Sequence, residues 1–170
     1  MNILQFKMMR ELRSIGRNIK AYAVVRGGAE YPNIVGLVTF SPWENGTMVD
    51  VEVKGLPPYT PALQGGQPVG PFGFHIHDHS ECEPMSGTEP FSMAGGHYNP
   101  NNQPHGNHAG DFPVLFSNGG NTRMSFYTDR FRPEDVIGRT VMIHLNPDDY
   151  RTQPAGNSGP RIACGVIKKF

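Results

Sequence analysis

Neither sign of charge is in excess in this chain of 170 residues: lysine plus arginine and aspartate plus glutamate number 15 each. That balance gives no reason to expect a nucleic-acid or acidic-surface partner. Charged residues are sparse overall, at 18 %. Cysteine is scarcer still, with only Cys82 and Cys164. They stand far apart, which excludes a CxxC redox motif and a thiolate zinc site and leaves one long-range disulfide or two free thiols. Long apolar runs are also missing. Lys7, Arg10, Glu11, Arg13 and Arg17 break up the first 18 residues before a stretch of signal-peptide length can accumulate, and no segment has the length and apolarity to span a membrane. The chain therefore reads as cytoplasmic, with a secreted or periplasmic location as the alternative that a disulfide favours.

What is plentiful points elsewhere. With 21 glycines and 16 prolines, the composition favours a turn-rich all-β domain with long ordered loops over a helical bundle. The length suits one domain, 19–170, preceded by an extension over 1–18 in which Ile3, Phe6, Met9 and Leu12 lie about one helical turn apart. Strand-like runs follow at 19–25 and 34–40, a candidate hairpin. Asn45-Gly46 signals a turn, after which Val49, Val51 and Val53 alternate with Asp50, Glu52 and Lys54, as a strand with one buried face requires. The proline- and glycine-rich 57–71 reads as a loop, and strands are expected again at 72–77, 123–128, 140–144 and 162–167. Seven or eight short strands suggest an antiparallel sandwich, with an up-and-down barrel as runner-up.

All seven histidines fall between His75 and His144. In Phe74-His75-Ile76-His77 two imidazoles stand two residues apart on a strand, so both rings leave the same face and can aim at one cation. His97, His105, His108 and Asp111, in the aperiodic stretch 78–112, would make a complete tetrahedral zinc shell. His75, His77 and His144 can supply imidazoles to a second site, a donor set that suits copper. Each histidine taken alone is more often a hydrogen-bonded core or surface residue, but an ordered set of six is not explained that way. His79 has no place in the pattern and reads as a loop hydrogen-bonder. Met85 and Met93 read as packing or loop residues, not soft copper ligands.

From residue 19 to the end the chain resembles the copper/zinc superoxide dismutase family. The matching pieces run in the family's order: Gly73-Phe74-His75-Ile76-His77, Gly96-His97-Tyr98-Asn99-Pro100, His108-Ala109-Gly110-Asp111-Phe112-Pro113, Gly138-Arg139-Thr140-Val141-Met142-Ile143-His144, Asp148-Asp149, and Gly156-Asn157-Ser158-Gly159-Pro160-Arg161-Ile162-Ala163-Cys164-Gly165-Val166-Ile167. The resemblance implies an all-β, Greek-key antiparallel β-sandwich or flattened barrel of about eight strands with long metal-binding loops. It implies copper on His75, His77, His97 and His144, and zinc on His97, His105, His108 and Asp111, so that His97 bridges the two. One departure is visible: His105 and His108 are only three apart, a shorter zinc loop than in animal members.

The same resemblance gives Asp148 the role of orienting His75 and His105. It makes Arg161 the guanidinium that holds a small anion beside copper, and pairs Cys82 with Cys164. The implied activity is dismutation of superoxide to oxygen and hydrogen peroxide, with Arg161 and His97 as its catalytic residues. A non-catalytic copper/zinc-binding protein of the same fold is the alternative. The implied partner is superoxide, with no nucleic acid and no membrane, and a homodimer is an arrangement the sequence allows.

Overall fold

The computed structural model describes residues 3–14, 16–63, 66, 68–83 and 90–170. Seven strands form one antiparallel sheet: β1 (Ala21–Gly27), β2 (Val35–Trp43), β3 (Gly46–Lys54), β4 (Phe74–His77), β5 (Asn121–Thr128), β6 (Thr140–His144) and β7 (Arg161–Lys169). Their spatial order is β4-β6-β7-β1-β2-β3-β5. The predicted hairpin of β1 and β2 pairs Ala21 with Phe40 and Arg26 with Val35. β4 lies at the far edge of the sheet from β3, so the chain must cross it after β3, which is why the loop before β4 and the one after it are long. This crossing is the Greek-key feature of the fold.

The sheet curls around its apolar face. Val49, Val51 and Val53 of β3, Phe40 of β2, and Phe74 and Ile76 of β4 are all fully enclosed in one core. Each such side chain contributes about 1.5–3 kcal/mol relative to an exposed one. Phe112 closes the curl, its ring centroid 5.2 Å from that of Phe74 and 4.9 Å from that of Phe126 on β5. Where an eighth strand would stand, single bridges serve instead: Phe72 pairs with Leu115, His75 with Asp111, and His77 with His97. The last two draw the aperiodic loop onto the free edge of β4, an arrangement that puts histidines from distant parts of the sequence side by side.

Three local expectations are modified. Gly46 is the first residue of β3 and not a turn residue: Trp43 pairs with it, leaving Glu44 and Asn45 as the two-residue turn. Asp50, on the face expected to be solvated, is buried, because Arg17 reaches it at 3.1 Å and Ser125 donates to it. The N-terminal stretch forms a helix, α1 (Ile3–Ser14), in which only part of the spaced apolar set is covered. Met8 and Met9 pack with Ile19 and Leu37 against the outer side of β1 and β2, while Ile3 and Phe6 face solvent at 90 % and 64 % exposure.

Candidate metal centre

Two residues on β4, one at the end of β6 and four in the loop after β4 meet at one end of the sheet. His75, His77 and His144 need no special local structure, since the antiparallel ladder between β4 and β6 carries them on rigid backbone. His77 and His144 face each other, Nε2 to Nε2, at 3.2 Å. Each ring is aimed by a backbone carbonyl at its other nitrogen: His77 Nδ1 lies 2.9 Å from Gly95 O, and His144 Nδ1 lies 3.0 Å from Gly159 O. The His75 ring stacks on His97 with centroids 3.9 Å apart.

The second cluster is centred on Asp111. His97 Nδ1 stands 2.8 Å from its carboxylate, and the Nδ1 atoms of His105 and His108 stand 3.2 and 3.4 Å from it. Asp148 lies behind both clusters, 95 % buried, with one oxygen 2.7 Å from His75 Nε2 and the other 2.8 Å from His105 Nε2. The backbone N–H of Tyr150 donates to it as well, at 2.7 Å. Gly156 is required here: its φ is +64°, and a Cβ would run into the Asp148 carboxylate and the His105 ring.

The donor atoms test whether metals fit. The ligand atoms of His75, His77, His97 and His144 lie within 4.8 Å of one another, as do those of His97, His105, His108 and Asp111. Four buried ring nitrogens, His75 Nδ1, His97 Nε2, His105 Nδ1 and His108 Nδ1, have no hydrogen-bond partner. Leaving such atoms unpaired is costly, and a cation in each cluster would satisfy all four. One all-imidazole set and one set of three imidazoles with a carboxylate, sharing the two nitrogens of His97, fit two cations of borderline character.

Electrostatics favour the ligand-ready protonation state. Burial, then the neighbouring imidazoles His97 and His144, push the His75 pKa well below the usual histidine value. His77 is lowered in the same direction by burial, His144, His97 and Arg161. For His144, burial lowers the pKa to about 4 in spite of the Gly159 carbonyl. His108 is lowered by burial as well. Burial alone would raise Asp111, but the hydrogen bond to His97 and the surrounding imidazoles leave it lowered. Neutral imidazoles and an ionised carboxylate are the forms that bind metals.

A cavity of about 530 Å3 opens over the first cluster, lined by His77, His97, His144 and Arg161, with Thr152 and Gln153 on its rim. Arg161 donates to Phe91 O at 2.6 Å and to Gly95 O at 2.7 Å, so its guanidinium is fixed beside the cluster. Cys82 and Cys164 form a disulfide across a sequence separation of 82, tying the loop after β4 to β7. His79 stays outside both clusters, exposed, with Nδ1 3.0 Å from Met93 O. Met93 is itself exposed, and Met85 lies outside the described residues. Sequence reasoning missed the carbonyls of Gly95 and Gly159, since a backbone acceptor has no residue signature. It also missed Gln153, whose amide meets the backbone of His105.

Comparisons with known proteins bear on the family of the chain. The family described as copper/zinc superoxide dismutase matches residues 34–167. A copper/zinc superoxide dismutase of Deinococcus radiodurans is 39 % identical over 152 residues, covering 79 % of this chain and 78 % of its own length. One of two from Aquifex aeolicus is 33 % identical across 91 % of this chain and 90 % of its own. The solved structure of the Brucella abortus enzyme superposes with a TM-score of 0.69 at 27 % identity, covering 88 % of this chain and all of that one. On these grounds the chain belongs to the copper/zinc superoxide dismutase family.

Proposed function

We propose that His75, His77, His97 and His144 hold copper, that His97, His105, His108 and Asp111 hold zinc, and that this centre carries out the family's reaction. The reading rests on one observation: the buried, unpartnered nitrogens fall into two groups that share His97. The protein is a superoxide dismutase, converting two superoxide anions and two protons into dioxygen and hydrogen peroxide. When bound, copper supplies reversible one-electron transfer, and zinc supplies a redox-silent positive charge.

The chain's own residues do the rest. Arg161, held by two carbonyls at the wall of the cavity, binds the incoming anion and keeps it beside His77 and His144. His97 Nε2, the nitrogen that faces the copper group, would take up a proton from solvent whenever it is not a ligand and give it to the reduced oxygen species. The second proton enters from solvent through the cavity. Asp148 accepts from Nε2 of both His75 and His105, which leaves Nδ1 of each ring as the ligand atom. Asp149 plays no part at the copper, since its carboxylate is used by Thr152 and the backbone N–H of Arg151.

Residues 19–170 form the enzyme domain in this reading, and 1–18 an extension to it, a division supported by α1 packing on the outer face of the sheet. Among the described residues no helix is long and apolar enough to cross a membrane. The Cys82–Cys164 disulfide supports an oxidising compartment over the cytoplasm. Metal analysis combined with a superoxide dismutation assay tests the proposal. Copper and zinc in equal amounts, one of each per chain, with turnover, is the expected result. Metal without turnover would leave the non-catalytic alternative.

A further inference from the structure

The zinc group depends on a turn that has no strand to hold it. His105, Gly106, Asn107 and His108 lie in a loop, where the main chain bonds to itself from Asn107 N–H to Pro104 O at 3.1 Å and from Asp111 N–H to His108 O at 3.2 Å. Asp111 takes the N–H groups of Gly106 and His108 on its Oδ2, at 2.8 and 3.0 Å. Among the described residues the N–H and C=O of His105 have no main-chain partner, and the C=O of His108 has room for a second donor beside Asp111 N–H. Each is taken by a side chain from another loop. The Gln153 amide pairs with His105 in both directions, its Oε1 accepting from His105 N–H at 2.9 Å and its Nε2 donating to His105 O at 3.3 Å. Arg130, just past the end of β5, donates from Nη1 to His108 O at 2.8 Å.

We infer that Gln153 and Arg130 are positioning residues for zinc, clamping the backbone of His105 and His108 so that two ligands only three residues apart converge. The inference rests on the zinc assignment above. Nδ1 is close to the backbone along the side chain, so a displacement of either main chain passes to the ligand atom almost undiminished. Without the clamps, ordering the turn would fall on zinc binding itself and weaken it. Gln153 also lines the cavity over the copper group, so one side chain touches both the zinc turn and that cavity.

The test uses the metal-loaded enzyme, with zinc affinity read by competition against a chromophoric chelator. Gln153→Ala and Arg130→Ala are each expected to weaken zinc by about 10-fold, the lower end of the range for outer-shell partners because both bonds are partly exposed. The double variant should lose more than either alone. Gln153→Glu, which keeps the acceptor for His105 N–H and loses the donor, should fall between parent and Gln153→Ala. Cobalt(II) substituted for zinc should show a changed visible spectrum in Gln153→Ala, while the thermal midpoint of the metal-free protein stays within about 2–4 °C of the parent. Parental zinc affinity in both single variants would overturn the inference. So would a metal-free protein destabilised as much as the loaded one, since that marks a structural role alone. A parent that binds no zinc would overturn the ligand assignment itself, and the clamp with it.

Discussion

Three of the four rings in the proposed copper group stand on strands, His75 and His77 on β4 and His144 at the end of β6, whereas all four residues of the zinc group lie in the connection from β4 to β5. On the copper side, ladder hydrogen bonds set the backbone before any ring is placed, and single carbonyls of Gly95 and Gly159 then aim the rings. On the zinc side no ladder exists beyond two isolated bridges, and the backbone is set by side chains: Asp111, Gln153 and Arg130. The copper half is thus held by the fold, and the zinc half by a hydrogen-bond network in which the ligands take part. His97 belongs to both, and Asp148 bonds to one further ring of each.

The strongest way to break this contrast is to remove a strand-borne ligand. His144→Ala is expected to lower superoxide dismutation by more than about 100-fold, beyond the loss typical of outer-shell partners, because a direct copper ligand is gone. Zinc affinity should fall by far less than the activity, since His144 contributes no atom to the zinc group and reaches it only through the shared His97. Zinc lost together with activity in His144→Ala would mean that the two halves are not separately held.

A smaller effect separates the halves by pH in the metal-free protein. His144 titrates near pH 4 in the folded chain and near 6.5 when unfolded, so between those values the unfolded state binds more protons. Stability is therefore complete above about pH 6.5 and is lost as pH falls towards 4, by roughly 3 kcal/mol from this group alone. His75 and His77, lowered in the same direction, add to the loss. Denaturant melts at pH 7 and pH 4.5 should show it, and His144→Gln should flatten the slope. An unchanged slope in His144→Gln would sink the assignment of the pH dependence to the strand-borne rings.

The finest comparison lies in Asp148. An asparagine there keeps one acceptor where the carboxylate offers two, so it can serve His75 or His105 but not both. Asp148→Asn is expected to weaken metal binding about 10–100-fold, with zinc affected more than copper, because β4 still fixes the backbone of His75 while His105 has only its loop. Separate chelator competitions for the two metals measure the ratio. Equal losses would show that strand support does not matter at this site.

Much of the copper side was legible in the sequence. Phe74-His75-Ile76-His77 has a strand's two-residue period, and that period alone places both rings on one face. Thr140–His144 was bounded correctly because an apolar run ends on a polar residue there. The N-terminal helix was half legible: its apolar spacing includes the buried Met9, but Met8 beside it was chosen by the shape of the outer sheet face, which no local pattern encodes. Asp50 followed neither pattern, since its burial depends on Arg17 and Ser125 from elsewhere in the chain.

Residue types and their spacing are enough to name the donor set: which side chains can bind a cation, their chemical type, and the strand that carries the first two. Composition and turn residues likewise determined an all-β chain with long loops. How the loop-borne histidines meet the strand-borne ones is set by long-range pairing, through the bridges of His75 to Asp111 and His77 to His97 along the free edge of β4. The tertiary structure also decided which nitrogen of each ring is free, because that depends on what the other nitrogen touches, whether Asp148, Gly95 O or Gly159 O. Ring chemistry is a property of a residue, and ring orientation is a property of its neighbours. For His105 and His108 those neighbours include Gln153 and Arg130, 48 and 22 residues away.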